Sequence, residues 1–170
     1  MASVFVGKKV FRDTTFRCSE KTFPAKCAMI VLVKFSLHNR QRRVKAPWTR
    51  IAERGARAAE YVAAKHLEAF ANIGEIEVSV LNDAEISRIH ADFLGDPTPT
   101  DVITFHHGEI LLGAETIASN AAHYGETLER ELLRCIIHGC LHLAGFLDAS
   151  PEDFQRMKTE EEVTLRVIMN

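Results

Sequence analysis

Strict alternation marks the clearest element of the chain. In EIEVSVL, residues 75–81, Ile76, Val78 and Val80 alternate with Glu75, Glu77 and Ser79, the period of a half-buried strand. Asn82 and Asp83 end it. MIVLVKFSLH, residues 29–38, is rich in β-branched and apolar residues and predicts an earlier strand. DVITF and EILLG predict two more, joined through His106, His107 and Gly108. Elsewhere the apolar period is helical. Trp48, Ile51, Ala52, Ala59, Val62 and Ala63 predict a helix from Pro47 to about Phe70, closed by Asn72 and Gly74. Shorter helices are predicted over 84–93 and 115–124, with GDPTPT, residues 95–100, as a loop. The segment 128–143 places Leu128, Leu132 and Ile136 on one helical face and stops at Gly145, a residue suited to the left-handed position past a helix. Ser150, Pro151 and Asp153 predict a capped start for a last helix running toward Met169.

Strands and helices mix without strict alternation and without an internal repeat. The expected architecture is an α+β layer of about four strands with the helix 128–143 packed on the sheet. A chain of 170 residues fits one domain with a sizeable core. Residues 1–28 lack hydrophobic periodicity and are expected to be an N-terminal extension, either disordered or a product of start-site assignment at Met1 in place of Met29. Residues 29–170 are then the domain. No apolar run is long enough to span a bilayer, and no apolar region of a secretory signal precedes a small-residue cleavage site.

Composition adds little beyond a cytosolic setting. Cys18, Cys27, Cys135 and Cys140 lack the spacing of a zinc ribbon and are too sparse for a disulfide scaffold, so they read as reduced thiols. Cys135 and Cys140 are expected to pack as small hydrophobes. The net charge of −2 does not announce a nucleic-acid partner, but its distribution is uneven. Residues 34–50 carry Lys34, Arg40, Arg42, Arg43, Lys45 and Arg50 without one acidic residue between them. That local patch is a solvated surface or a phosphate contact, with Arg40, Arg42 and Arg43 as the candidates for RNA.

The chemistry lies in HGCLHLAGFLD, residues 138–148. Positions four apart share a helical face, so His138 and His142 can direct their imidazoles at one point. A bare pair of this kind arises by chance in buried helices. Here a helix-ending glycine follows, and a chain that doubles back at Gly145 can bring the Asp148 carboxylate to the same point. Three protein ligands would leave a position open, the pattern of catalytic zinc. Gly139 stands where the metalloprotease motif HExxH has its glutamate base, which argues against a zinc protease.

The motif resembles that of the YbeY family, HGxLHLxGYxH, with Phe146 for the tyrosine and Asp148 where most members carry a third histidine. PTDVITF, residues 99–105, is similar to the family's PTDVLSF, GEI at 108–110 to its GDI, and LND at 81–83 to an asparagine-containing segment that ends an earlier strand. The likeness runs over roughly residues 29–165. It implies a mixed sheet with surrounding helices, a zincin-like metal-binding helix, and a metal-dependent endoribonuclease specific for single strands. It further implies a role in ribosomal RNA maturation at the 3′ end of the small-subunit (16S) RNA and in ribosome quality control. The implied partners are ribosomal RNA, the small ribosomal subunit and an assembly GTPase. His138 and His142 become catalytic metal ligands, Asp148 the third ligand, and the cofactor one divalent transition metal, most compatibly Zn2+. Two positions depart from the family pattern: Asp148 itself, and Leu94 where many members have an arginine.

Two other readings remain open on the sequence alone. One is a metal-stabilised ribosome-assembly factor without turnover, since no general base is identifiable. The other is a different zinc hydrolase. Asp101 and Glu109 are candidates for positioning roles against the alternative of surface carboxylates, and His106 and His107 are expected in an exposed turn. Phe93, Phe105 and Phe146 are expected in the core.

Overall fold

A computed structural model of the chain describes the backbone of residues 4–6 and, in full, residues 33–170. In chain order the elements are β1 (Val4–Val6), β2 (Lys34–Asn39), α1 (Trp48–Lys65), α2 (Leu67–Phe70), β3 (Glu75–Leu81) and α3 (Asp83–Leu94). They continue through β4 (Val102–Phe105), β5 (Glu109–Gly113), α4 (Ala114–Tyr124), α5 (Leu128–Leu143) and α6 (Pro151–Met169).

Most expected elements form where the side-chain period placed them, and the differences have local causes. The long helix expected from Pro47 to Phe70 leaves helical geometry at His66 (φ −132°, ψ 48°), whose ring sits edge-on against Phe146, and resumes as the single turn α2. The first expected strand begins at Lys34, and residues 29–32 lie outside the described residues. Helix α3 starts one residue earlier than expected. Asn82 accepts the Glu85 N–H and the Glu85 carboxylate reaches back to the Asn82 backbone, a reciprocal cap. Phe93 is not in the core: it is 58% exposed and meets Phe105 edge-on at 5.1 Å.

The strands form one mixed sheet in the order β1-β4-β5-β3-β2. β2, β3 and β5 run parallel, whereas β4 pairs antiparallel with β5 through the expected hairpin. Four strands come from the body of the domain. The three-residue β1, from the N-terminal extension, adds to β4 in parallel, and the rest of that extension lies outside the described residues. Alternation assigns the faces. Ile76, Val78, Val80, Ile110 and Leu112 point into the main core, beneath α1 and α5. Leu81, Ile103, Phe105 and Leu111 point the other way, where Ile86 of α3 joins them.

Helix α5 is the centre of the larger layer, packed against α1, α4, α6 and the β4–β5 hairpin. Every residue from Glu131 to Leu143 is buried, so this is a core helix, not an amphipathic surface one. Gly139 permits the close seat on the sheet: a Cβ there would stand 2.7–3.1 Å from three atoms of the Ile110 side chain. Ile110 is fully buried and stiff at its branched Cβ, so it cannot swing clear. Gly139→Ala would gain about 1 kcal/mol in helix propensity and lose about 1–3 kcal/mol to overpacking. A net loss of about 1 kcal/mol is expected in urea unfolding, and a variant at least as stable as the parent would contradict this account of the glycine.

Candidate metal centre

The turn after α5 is what completes the site. Ala144 keeps helical geometry and Gly145 turns to φ +91°, after which the Gly145 N–H donates to the His142 carbonyl and the Phe146 N–H to the Leu141 carbonyl. These are the two bonds of a Schellman ending, which reverses the chain with a residue of positive φ. Glycine is the residue that takes this conformation without a Cβ penalty. The reversal brings Asp148 back over the last turns of the helix, so that one oxygen of its carboxylate lies 3.7 Å from His138 Nε2 and 3.8 Å from His142 Nε2.

These separations are too long for hydrogen bonds and suit a shared cation. Ligand atoms around a tetrahedral ion at ~2.1 Å stand roughly 3.4 Å apart. In this site the three ligand atoms all lie within 4.8 Å of one another, the only such cluster of histidine, cysteine and carboxylate groups found among the described residues. Small side-chain movements would close it around a metal.

The protonation pattern fits as well. His142 Nδ1 lies 2.9 Å from the Phe146 carbonyl, and His138 Nδ1 lies 2.6 Å from a Glu161 carboxylate oxygen. Both partners are acceptors, so each Nδ1–H donates to its partner and each ring turns its Nε2 toward Asp148. Burial, reinforced by the neighbouring His138, lowers the His142 pKa to about 4. The imidazole therefore stays neutral, and able to ligate, across the physiological range.

Glu161 was not among the residues read from the sequence, where it sits in the acidic run 160–162. It is 3% exposed and occupies the buried face of α6 with Met157, Leu165 and Ile168. The spacing of those apolar residues was the signal: they define a stripe that Glu161 interrupts. Glu161→Gln keeps an acceptor for the His138 Nδ1–H but removes the charge that strengthens the ligand. A loss of about 10–100-fold in metal affinity is expected from competition titration with a chelator. Unchanged affinity would reduce Glu161 to a packing role.

Beside the histidines lies a cleft of about 340 Å³, lined by His138, Asp148 and Glu161 together with Arg134, Tyr124 and Phe154 among others. Arg134 is the second residue missed. Its place four residues before His138 puts Arg134, His138 and His142 in one row along α5. The guanidinium binds Glu131 at 3.2 Å through Nε and Glu162 through Nη1, and stands 3.8 Å from Glu161. Burial pushes the Glu131 carboxyl above its ordinary pKa even beside this cation.

The remaining candidates separate cleanly. Asp101 is buried, not a surface carboxylate; it accepts the Val102 N–H and an Asn120 amide N–H, and burial raises its pKa. Glu109 pairs with His107 in the exposed turn that also holds His106. Arg40, Arg42 and Arg43 are exposed and do not line the cleft; Arg40 faces Glu77 and Arg43 pairs with Glu115. Leu94 ends α3 as an exposed side chain. Cys135 and Cys140 are buried, and burial raises both thiol pKa values, that of Cys140 to about 12; Cys18 and Cys27 lie outside the described residues. Among the described residues, no helix is long and apolar enough to cross a membrane.

Comparison with known proteins places the chain in a family. Residues 36–169 match the family model described as Endoribonuclease YbeY. An Endoribonuclease YbeY of Desulfitobacterium hafniense is 30% identical over 123 residues, covering 62% of this chain and 78% of the relative. One of Chlorobium phaeovibrioides is 39% identical over 88 residues; there the match covers 48% of this chain and 60% of the relative's length. Among solved structures, the solution structure of a Thermotoga maritima protein superposes with a TM-score of 0.53 at 27% identity, covering 78% of this chain and 89% of that one.

Proposed function

The chain belongs to the YbeY endoribonuclease family, and on that premise we propose that it is a metal-dependent endoribonuclease that cleaves single-stranded RNA. The observation that carries this reading is the convergence of the His138 and His142 Nε2 atoms and the Asp148 carboxylate at one point, beside a cleft that His138 and Asp148 line. We take residues 29–170 as the catalytic domain and the cytoplasm as its compartment. Its place is in maturation of the small-subunit ribosomal RNA at the 3′ end and in ribosome quality control, with the small subunit and an assembly GTPase as partners.

Two nitrogen donors and one carboxylate oxygen suit zinc, with a coordination position left for substrate. A divalent ion held there supplies a Lewis acid for a phosphodiester oxygen and for the attacking group. The protein's own contribution is orientation. Glu161 and the Phe146 carbonyl fix both imidazoles by their Nδ1 protons, and the buried α5 backbone holds the rings in register. Arg40, Arg42 and Arg43 would meet the RNA backbone beyond the cleft, where counterion release favours a basic segment.

The test is cleavage of a labelled single-stranded RNA by the metal-loaded full chain. Cleavage is expected to stop on chelation and return when metal is restored, and to be absent in His138→Ala at any metal concentration. Tight stoichiometric RNA binding without metal-dependent cleavage would replace this reading with a non-catalytic assembly factor. Peptide or ester turnover that RNA does not inhibit would point to another zinc hydrolase.

A further inference from the structure

We propose that Tyr124 and Phe154 form a stacking platform for unpaired nucleobases in the metal-bearing cleft and thereby determine which RNA the enzyme holds, an inference that rests on the ribonuclease reading. Both rings line the cleft that contains His138 and Asp148. They come from different elements: Tyr124 ends α4, and Phe154 lies in the first turn of α6. Tyr124 is 59% exposed and Phe154 46%, and neither belongs to the two hydrophobic cores. Tyr124 meets only the edge of the neighbouring His123 ring among the aromatic contacts of the described residues, at 4.9 Å, and the fold places both rings beside the proposed reacting centre.

The charge of the cleft narrows what they can hold. Its wall carries Glu126, Glu131, Glu161 and Glu162 as well as Asp148, against Arg134 and Lys158. Arg134 is already bound by Glu131 and Glu162, so such a lining repels a phosphate backbone except at a bound metal and at Lys158. Grip on the strand must then come from the bases, whose faces stack on aromatic rings regardless of sequence. A duplex keeps those faces covered by neighbouring pairs, whereas a single strand can splay a base onto a ring. The platform therefore gives preference for unpaired RNA a source in two named side chains.

The experiment uses the metal-loaded full chain and a single-stranded oligoribonucleotide of one sequence, together with a series in which each position in turn is made abasic. Tyr124→Ala and Phe154→Ala are compared with the parent and with Tyr124→Phe and Phe154→Tyr, with metal content measured for each. Each alanine variant is expected to lose about tenfold in kcat/KM, mainly through KM, with metal content unchanged and the ring-retaining variants close to the parent. Abasic substitution next to the cleavage site should penalise the parent and leave the corresponding alanine variant unaffected. Alanine variants that cleave intact RNA as the parent does, or that show the parent's abasic penalty, would overturn the platform and leave the ribonuclease standing. The same holds if a protein fragment, and not RNA, competes for the rings. If the metal-loaded parent neither binds nor cleaves single-stranded RNA, the ribonuclease reading has failed and the platform with it.

Discussion

Asp148→Ala is expected to abolish stable metal binding and, with it, RNA cleavage by at least about a hundredfold, since even a partner behind a ligand contributes 10–100-fold. The reason is geometric. His138 and His142 alone offer two donors from one helix face, and two donors make a weak site for a first-row ion. Asp148 supplies the third donor and places a carboxylate oxygen within 4 Å of both Nε2 atoms. The measurement is metal per chain by plasma mass spectrometry, for parent and variant after identical exposure. About one transition metal in the parent and a marked loss in the variant is the expected result. Equal loading would show that Asp148 is not a required ligand. A folded parent that binds none would end the metal mechanism and move the assembly-factor reading ahead.

The largest expected effect on stability is at Arg134. This side chain is the cation for Glu131, which is 1% exposed, and also binds Glu162 and approaches Glu161. One Glu131 oxygen has no hydrogen-bond partner even in the intact protein. Arg134→Met preserves much of the volume and leaves that carboxylate buried without a counterion, which costs about 3 kcal/mol or more. The pH dependence has a definite sign. Burial already raises the Glu131 pKa, and removing the cation raises it further. A raised carboxyl pKa contributes stability below its unfolded value and loses it as pH rises through the folded one. The deficit of Arg134→Met in denaturant unfolding should therefore be larger at about pH 8 than at about pH 5. The double variant Arg134→Met with Glu131→Gln should recover most of it. A deficit that is the same at both pH values would mean that the arginine acts by packing alone.

How far the sequence discloses this site follows from what each residue needs in order to be recognised. His138, His142, Gly145 and Asp148 lie within one short stretch, and local rules of spacing and helix termination are enough to bring them together. The strands β3, β4 and β5 were likewise legible because alternation and turn residues are local signals. Glu161 and Arg134 belong to the same site but act across the α5–α6 interface, and nothing near them in the chain states that the two helices meet. The break at His66 is of the same kind, since its ring packs on Phe146 eighty residues later in the fold. Phe93 failed for the opposite reason: an aromatic residue beside Leu94 suggests burial, but the end of α3 leaves the ring uncovered. The basic segment was visible as composition only, and composition does not say that Arg40 and Arg43 face Glu77 and Glu115.

The hydrogen bond from His138 to Glu161 has a consequence for the last helix. Since α5 carries the proposed ligand His138 and α6 the carboxylate bound to its Nδ1, metal binding at this site would be thermodynamically linked to the docking of α6. At a free ion concentration a hundred times its dissociation constant, the ion adds about 2.7 kcal/mol to the unfolding free energy. Part of that should be felt as slower amide exchange along α6, although that helix supplies none of the three proposed ligands. The ion would then be a clasp as well as a reagent, and depletion of metal would loosen the C-terminal helix together with the chemistry.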